Sequence, residues 1–265
     1  MIRLLLLDID GTLVGQGGVH ESTWSALDEA RRHGVQLGLC TGRIGLGFAR
    51  DLAMRVAPEG LHIFQSGAVV SRPGAKPDYA SLLPRESFRA LVEMSRREGE
   101  PLEAFSPDGF FLESHTELLR VHAHHLELKP VVTDLLALEE PIVRAQWVVH
   151  ESRWPHFRAL TETLPDLAIN PATAPWSPGT VFSNLTRSGT SKASALRWLA
   201  THLDLDISEV AMVGDGENDL DAIEAAGLGI AMGNAHPLVK DRAHVVVADA
   251  DEGGAAEAVR VALAR

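Results

Sequence analysis

Two aspartates, Asp8 and Asp10, directly follow the apolar segment Ile2–Leu7 and precede Gly11. A short apolar run that ends at a glycine turn is typical of a buried parallel strand. In open α/β sheets the ligand crevice lies at the carboxyl ends of such strands. Because residues i and i+2 of an extended chain point to one face, both carboxylates are expected to address one site. Like charges this close repel unless a cation or a proton separates them, so the spacing favours chemistry over packing.

A second acidic segment, Gly214-Asp215-Gly216-Glu217-Asn218-Asp219, follows another apolar run. Asp215 and Asp219 are four residues apart and can share one face of a helix that begins here. With the first pair they would bring up to four carboxylates to one crevice. Such a cluster suits a hard cation bound through oxygen atoms, and Mg²⁺ is the first expectation. For the first segment alone, an ordinary Asp/Gly turn is the alternative interpretation.

Two further polar sites stand where the pattern changes from strand to helix. Thr41-Gly42-Arg43 follow the apolar segment 35–40, and Lys192 opens a predicted helix. A hydroxyl and an ammonium group are the donors that a phosphate requires. Arg43 either contacts a substrate or pairs with an acidic neighbour, and the residues themselves leave both alternatives open.

The elements that must position these residues alternate between strand and helix over the first 80 residues and again from Lys192. The pattern predicts strands at 2–7, 35–40, 61–64, 210–213, 228–232 and 244–247, and helices at 20–33, 45–56, 192–203 and 218–226. Such alternation implies a parallel sheet with right-handed crossovers. We therefore predict an α/β fold with a Rossmann-like parallel-sheet core.

Between the two stretches of the core, the predicted helices and strands follow a different order. The pattern predicts helices at 84–98, 114–127 and 153–164 and strands near 102–106, 109–112, 142–150, 167–170 and 180–185. This is typical of an inserted α+β domain. We predict one core formed by residues 1–82 and 186–265, and an inserted α+β domain at 83–185.

Composition limits the classes of partner. The chain has 265 residues, a net charge of −12 and 45% hydrophobic residues. An acidic surface argues against nucleic acid or an anionic membrane as a main partner, whereas local basic residues and a metal still permit an anionic substrate. The single cysteine, Cys40, excludes an intramolecular disulfide. With no apolar run of about 18 residues and no signal pattern, a cytoplasmic protein is expected.

The four polar segments together resemble the four motifs of the haloacid dehalogenase-like (HAD) superfamily, in order. They are Asp8-x-Asp10-Gly11-Thr12, Thr41, Lys192 and Gly214-Asp215-x-x-Asn218-Asp219. The last motif, followed by the segment 225–235, is similar to that of the Cof-type phosphatases, which carry a large cap between the second and third motifs. The resemblance covers essentially the whole chain. It implies that residues 1–82 and 186–265 form the catalytic core and that residues 83–185 form an α+β cap domain that sets substrate specificity.

The resemblance implies a role for each motif residue. Asp8 would be the nucleophile that forms an aspartyl-phosphate, and Asp10 the general acid that then becomes the general base. Mg²⁺ would be held by Asp8, the Asp10 backbone carbonyl and Asp215, with Asp219 in or just outside that shell. The residues expected to bind phosphate or substrate are Thr41, Gly42, Arg43, Lys192 and Asn218. For Asn218, a contact with Lys192 is the alternative.

The function expected from this resemblance is a Mg²⁺-dependent phosphomonoester hydrolase. Its substrate would be a small phosphorylated metabolite. Sugar phosphates are the first expectation, and nucleotide-like or cofactor phosphates are the second. Asp10 favours phosphoryl transfer over dehalogenation, because a dehalogenase has no leaving alcohol to protonate. A phosphomutase or phosphotransferase that uses the same intermediate is the nearest alternative, and a non-catalytic phosphosugar-binding regulator is the more distant one.

Three features fall outside the motifs. Gln65-Ser66-Gly67-Ala68 stands where the family usually has Asn-Gly-Ala, and Ser66 is expected to alter contacts near the leaving group. The histidines near residue 122 are expected to form a solvated cap face rather than a metal site, since no Cys or carboxylate completes a set of ligands. The cap tryptophans Trp147, Trp154 and Trp176 are expected to pack, with ring stacking on a substrate as the alternative.

Overall fold

The computed structural model describes residues 1–174 and 176–265. These residues form two compact units: one comprises 1–45, 49–79 and 191–265, and the other comprises 46–48 and 80–190. Among the described residues, no helix combines the length and the apolar character that crossing a membrane requires.

The described strands, in chain order, are β1 (Leu4–Leu7), β2 (Gln36–Leu39), β3 (His62–Phe64), β4 (Val69–Ser71), β5 (Tyr79–Ala80), β6 (Glu103–Phe105), β7 (Phe110–Leu112), β8 (Val131–Val132), β9 (Arg144–His150), β10 (Leu167–Thr173), β11 (Thr180–Arg187), β12 (Val210–Gly214), β13 (Leu228–Ala231) and β14 (Val245–Val246). The described α-helices are α1 (Glu21–Arg32), α2 (Gly47–Val56), α3 (Arg85–Glu98), α4 (Glu117–His125), α5 (Trp154–Thr161), α6 (Lys192–His202), α7 (Leu220–Ala225), α8 (Pro237–Arg242) and α9 (Gly254–Leu263).

The first unit is built on a parallel sheet in the order β14-β13-β12-β1-β2. All four residues of β1 are buried, as expected of a central strand covered on both faces. Leu7, at its end, pairs with Leu39 of β2 and with Val213 of β12. The chain segments that begin with Asp8, Cys40 and Asp215 therefore leave neighbouring strands at the same edge of the sheet. The predicted α/β fold with a parallel core sheet is confirmed.

The third predicted strand of the core differs from expectation. In the described structure β3 joins the parallel sheet through a single bridge between Cys40 and Ile63, and its ladder is an antiparallel hairpin with β4. The chain reverses between these strands at Gln65 and Ser66, whose φ angles of 51° and 56° are left-handed. This turn ends β3 at Phe64 and sends the chain back as β4.

The second unit contains a mixed sheet in the order β10-β11-β9-β6-β7-β8. One face of the sheet is apolar and carries the core of this unit. Trp147 of β9 is fully buried there, contacts Phe157 at a ring separation of 4.8 Å, and donates a hydrogen bond from Nε1 to Thr161 Oγ1 at 3.2 Å. The indole therefore packs and has its polar atom satisfied.

The opposite face of this sheet is polar. In an antiparallel ladder directly paired residues share a face, so Glu103 with Gln146, and Asn184 with Gln146, project together. His122 of α4 is buried and bonds through Nδ1 to the carboxylate of Glu103 at 2.8 and 2.9 Å. The expectation of a solvated histidine face is wrong for His122, because a carboxylate distant in sequence gives the ring a buried partner.

Candidate active site

Three carboxylates meet at the carboxyl edge of the parallel sheet. Asp8 follows β1, Asp215 follows β12, and Asp219 lies in the 3₁₀ turn Glu217–Asp219. One oxygen of each residue lies within 4.8 Å of the others. Asp8 and Asp219 are only 5% and 0% exposed. Burying several negative charges together costs free energy unless cations pair with them. This cluster therefore requires positive charge nearby.

Lys192, the first residue of α6, provides one cation. Its Nζ donates to Oδ1 of Asp8 at 2.8 Å and to Oδ1 of Asp219 at 2.5 Å. A reciprocal capping box between Ser191 and Ser194 fixes the start of the helix and thereby the position of Lys192. Burial alone would lower the pKa of Lys192, but the charges of Asp219 and Asp8 outweigh it and hold that pKa above its ordinary value. The ammonium group therefore stays charged.

One ammonium does not balance three carboxylates, and the pKa values of the acids reflect this. Burial raises the pKa of Asp8 to about 8, with Asp219 adding to the effect and Lys192 opposing it. Burial and the charge of Asp219 raise the pKa of Asp215 to about 6, against the hydrogen bond from Thr12. Converging carboxylate oxygens with excess negative charge are what a hard divalent cation binds, so the residues present fit Mg²⁺.

Asp219 is the most constrained of the three acids. Its Oδ1 accepts from Lys192, and its Oδ2 accepts from the backbone N–H groups of Asp215 at 3.2 Å and Gly216 at 3.0 Å. These bonds use both oxygens. Asp219 thus orients Lys192 and the turn that carries Asp215, a geometry that favours a position just outside a metal shell rather than in it.

The carboxylate of Asp10 has a different partner. Arg43 binds this carboxylate in a bidentate ion pair, in which Nε donates to Oδ2 and Nη2 donates to Oδ1, both at 2.7 Å. The alternation expected of an extended chain does not apply, because β1 ends at Leu7 and the next residues form a turn in which Leu13 N–H donates to the Asp8 carbonyl. Of the four carboxylates expected to converge, three do so. Of the two alternatives for Arg43, the structure shows the acidic neighbour.

The second motif is held by a neighbouring turn. Thr41 is buried, and its Oγ1 accepts a hydrogen bond from the Arg43 backbone N–H at 3.1 Å. Its carbonyl accepts from Ser66 N–H at 3.0 Å. A Cβ on Gly42 would lie 3.3 Å from Ser66 Oγ, so the two loops are closely apposed. Ser66 therefore acts on the shape of this loop.

The same turn also reaches the third motif. Gly67 has a φ of +95°, and a Cβ there would lie 2.0 Å from the Ser191 carbonyl oxygen. Only glycine tolerates both the angle and the approach. Because Ser191 caps α6, the turn that contacts Thr41 also packs against the helix start that carries Lys192.

Asn218 lies in the 3₁₀ turn with its side chain exposed. The ammonium of Lys192, the alternative partner expected for it, bonds to Asp8 and Asp219. Contact of Asn218 with phosphate stays a prediction.

Two residues to which the sequence assigned no role also reach Asp215. Thr12 Oγ1 donates to Asp215 Oδ1 at 3.0 Å. The Asn234 side chain donates to the Gly11 carbonyl at 2.7 Å and approaches Asp215 Oδ2 at 3.5 Å. Asn234 follows a strand of the same parallel sheet, and ligand crevices form at the ends of such strands. Its place in the sequence could therefore have indicated a role at the site.

A family model of haloacid dehalogenase-like hydrolases matches residues 5–259. The chain belongs to this family. The phosphatase YwpJ of Bacillus subtilis is 25% identical over 289 residues, which cover 98% of this chain and 99% of the relative. The HMP-PP phosphatase of Cronobacter sakazakii is 27% identical over 268 residues, covering 93% and 90%.

A solved structure shows the same likeness. The phosphatase BT1666 of Bacteroides thetaiotaomicron aligns with a TM-score of 0.84 at 26% identity, over 100% of this chain and 96% of that chain. The resemblance drawn from the four motifs is confirmed: the protein is a HAD-type phosphatase of the Cof type. Small phosphorylated compounds are the substrates that this family implies.

Proposed function

We propose that this HAD phosphatase is a Mg²⁺-dependent phosphomonoester hydrolase that works through an aspartyl-phosphate on Asp8. The observation that carries the proposal is the buried arrangement in which Lys192 bonds to Asp8 and Asp219 beside Asp215. It leaves an excess of negative charge that a divalent cation would balance, next to a carboxylate already held by a lysine.

Asp8, Asp215 and the Asp10 backbone carbonyl would hold the ion, while Asp219 keeps Lys192 and the Asp215 turn in place. When bound, Mg²⁺ supplies positive charge that favours ionised Asp8 and stabilises the phosphoryl oxygens. Lys192 and the Thr41 hydroxyl would bind the remaining phosphoryl oxygens. Charge balance and positioning of this kind account for most of the catalysis in phosphoryl transfer.

The reaction would proceed in two displacements. In the first, an Asp8 carboxylate oxygen forms a bond to phosphorus, the bond to the ester oxygen breaks, and Asp10 gives its proton to that oxygen. In the second, Asp10 takes a proton from water, the water oxygen bonds to phosphorus, and the Asp8–phosphorus bond breaks. Free alcohol and inorganic phosphate leave, and both aspartates return to their initial states.

For the substrate we propose sugar phosphates first. Support comes from the polar sheet face of the inserted unit. Arg144 is buried there, donates to Asn184 Oδ1 at 3.1 Å and lies 4.0 Å above the ring of Phe105. Trp176 stacks on His125 at 3.9 Å and is 39% exposed. Charged donors beside an aromatic ring suit a hydroxylated, compact leaving group.

Phosphate release from a panel of phosphorylated metabolites, with Mg²⁺ or with EDTA, tests the proposal. We expect release that requires metal and disappears in Asp8→Asn, whereas Asp51→Asn on the surface of α2 leaves it intact. Release without metal, or release that persists in Asp8→Asn, would refute the mechanism. Phosphate that moves from Asp8 to an added sugar rather than to water would favour the phosphotransferase alternative.

A further inference from the structure

Asn234 stands outside the four motifs, yet its side chain joins the first and the fourth. It follows β13, in the turn before α8. Its Nδ2 donates to the Gly11 carbonyl at 2.7 Å and lies 3.5 Å from Asp215 Oδ2, while its Oδ1 accepts from Ala250 N–H at 2.9 Å. The bond from Ala250 fixes which end of the amide points at Gly11 and Asp215.

Asp215 is thereby approached at both oxygens. Thr12 donates to Oδ1 at 3.0 Å, and Asn234 reaches Oδ2. Gly11 closes the space around the same group, because a Cβ there would lie 2.2 Å from Asp215 Oδ2 and the φ of +76° suits glycine. A carboxylate bounded in this way has one preferred orientation.

The loop that follows Asp10 has a second anchor, which provides a natural comparison. Asp251 accepts from the backbone N–H groups of Gln16 at 3.2 Å and Gly17 at 2.9 Å. Asn234 and Asp251 thus hold the two ends of the segment 11–17. Only Asn234 also meets Asp215.

We propose that Asn234 is a positioning residue of the metal site, which fixes the Asp215 carboxylate and the Gly11 peptide next to the Asp10 carbonyl. The inference rests on the proposed function, because that function makes Asp215 and the Asp10 carbonyl metal ligands. Residues that orient ligands from outside the shell typically contribute about 10- to 100-fold in metal affinity. The same loss is expected here when the amide is removed.

Mn²⁺ binding to the whole protein, measured by electron paramagnetic resonance of the free ion without substrate, tests this directly. Asn234→Ala is expected to weaken binding by about 10- to 100-fold, and Asp251→Ala by less than about threefold, since it frees only the far end of the loop. Thr12→Val, which removes the other donor to Asp215, should weaken binding as well and serves as a second variant if Asn234→Ala is unstable.

Kinetics add a readout that a purely structural role would not produce. In Asn234→Ala the Mg²⁺ concentration for half-maximal phosphate release should rise by the same factor, while KM at saturating Mg²⁺ stays near the wild-type value. Wild-type Mn²⁺ affinity in Asn234→Ala, or an equal loss in Asp251→Ala, would overturn the role of Asn234. Wild-type protein that binds no Mn²⁺ would instead overturn the proposed metal site and this inference with it.

Discussion

Arg43 holds both carboxylate oxygens of Asp10, through Nε and Nη2 at 2.7 Å each. This bidentate contact fixes the orientation of the Asp10 side chain. The proposed first displacement needs Asp10 to carry a proton and face the ester oxygen. We therefore expect the Arg43 guanidinium to orient the Asp10 side chain for that step.

Replacing Arg43 by lysine keeps the charge but removes the planar fork that makes the bidentate contact. We expect kcat for an alkyl phosphate to fall about 10- to 100-fold because Asp10 loses its alignment. The loss with p-nitrophenyl phosphate should be smaller, since its leaving group needs little protonation. Steady-state kinetics on both esters make the comparison.

A matched control exists on α2, where Arg50 pairs with Asp51 at 3.1 Å. Arg50→Lys should leave both rates unchanged. Equal losses for the two esters in Arg43→Lys would show that Arg43 acts on the phosphoryl group and not through Asp10.

The metal-free protein should lose stability as the pH rises. The folded-state pKa values of Asp8, about 8, and Asp215, about 6, lie above the ordinary value of 3.8. These two acids therefore bind more protons in the folded than in the unfolded state between about pH 4 and pH 8. Burial lowers the pKa of His62 to about 4, which has the opposite effect in the lower part of this window, but the two acids outweigh it and stability falls. Thermal unfolding in EDTA at several pH values should show that Tm decreases as the pH rises through this window.

Added Mg²⁺ should raise Tm most at the alkaline end, where both acids are ionised and able to bind it. The double variant Asp8→Asn/Asp215→Asn removes both of these groups and should abolish the decrease of Tm with pH in EDTA. A Tm that rises with pH in EDTA would contradict the pKa directions assigned to these two acids.

Ser66 occupies a left-handed conformation, with φ 56° and ψ 34°. Asparagine adopts this region more readily than serine. We expect Ser66→Asn to increase the free energy of unfolding by about 0.5 kcal/mol, measured by urea denaturation. Ser66→Ala changes the side chain without this preference and should give no gain. An equal or lower stability for Ser66→Asn would mean that close packing against Gly42 outweighs the backbone effect.

The parallel core could be predicted because its strands are short, largely apolar and soon followed by polar residues or glycine. Elements with a weaker periodic signal were missed, among them β4, β5, α8 and α9. In α9, four alanines within Gly254–Leu263 give little contrast between faces, although the helix packs well. The reversal at Gln65 and Ser66 was missed because neither residue is a typical left-handed one.

The acidic cluster followed from strand ends alone, because neighbouring parallel strands deliver their next residues to one edge. What sequence could not supply were contacts between distant segments. Arg43 with Asp10, Glu103 with His122, and Asn234 with Asp215 each depend on loop conformations that no periodicity encodes. Substrate choice is of the same kind, since it depends on side chains that meet only after the sheet has formed.

Arg144 is the strongest candidate for that choice. Burial lowers its pKa to about 10, opposed by Glu103, so it stays charged at neutral pH. Replacing Arg144 with methionine keeps much of its length but removes its donors, and KM for the best sugar phosphate should rise about tenfold or more. Inhibition by inorganic phosphate, which lacks the sugar, should change little.

Arg153→Met, in the same unit but exposed and paired with Glu100, is the control and should leave KM unchanged. A rise in the phosphate inhibition constant as large as that in KM would show that Arg144 acts on the phosphoryl group instead.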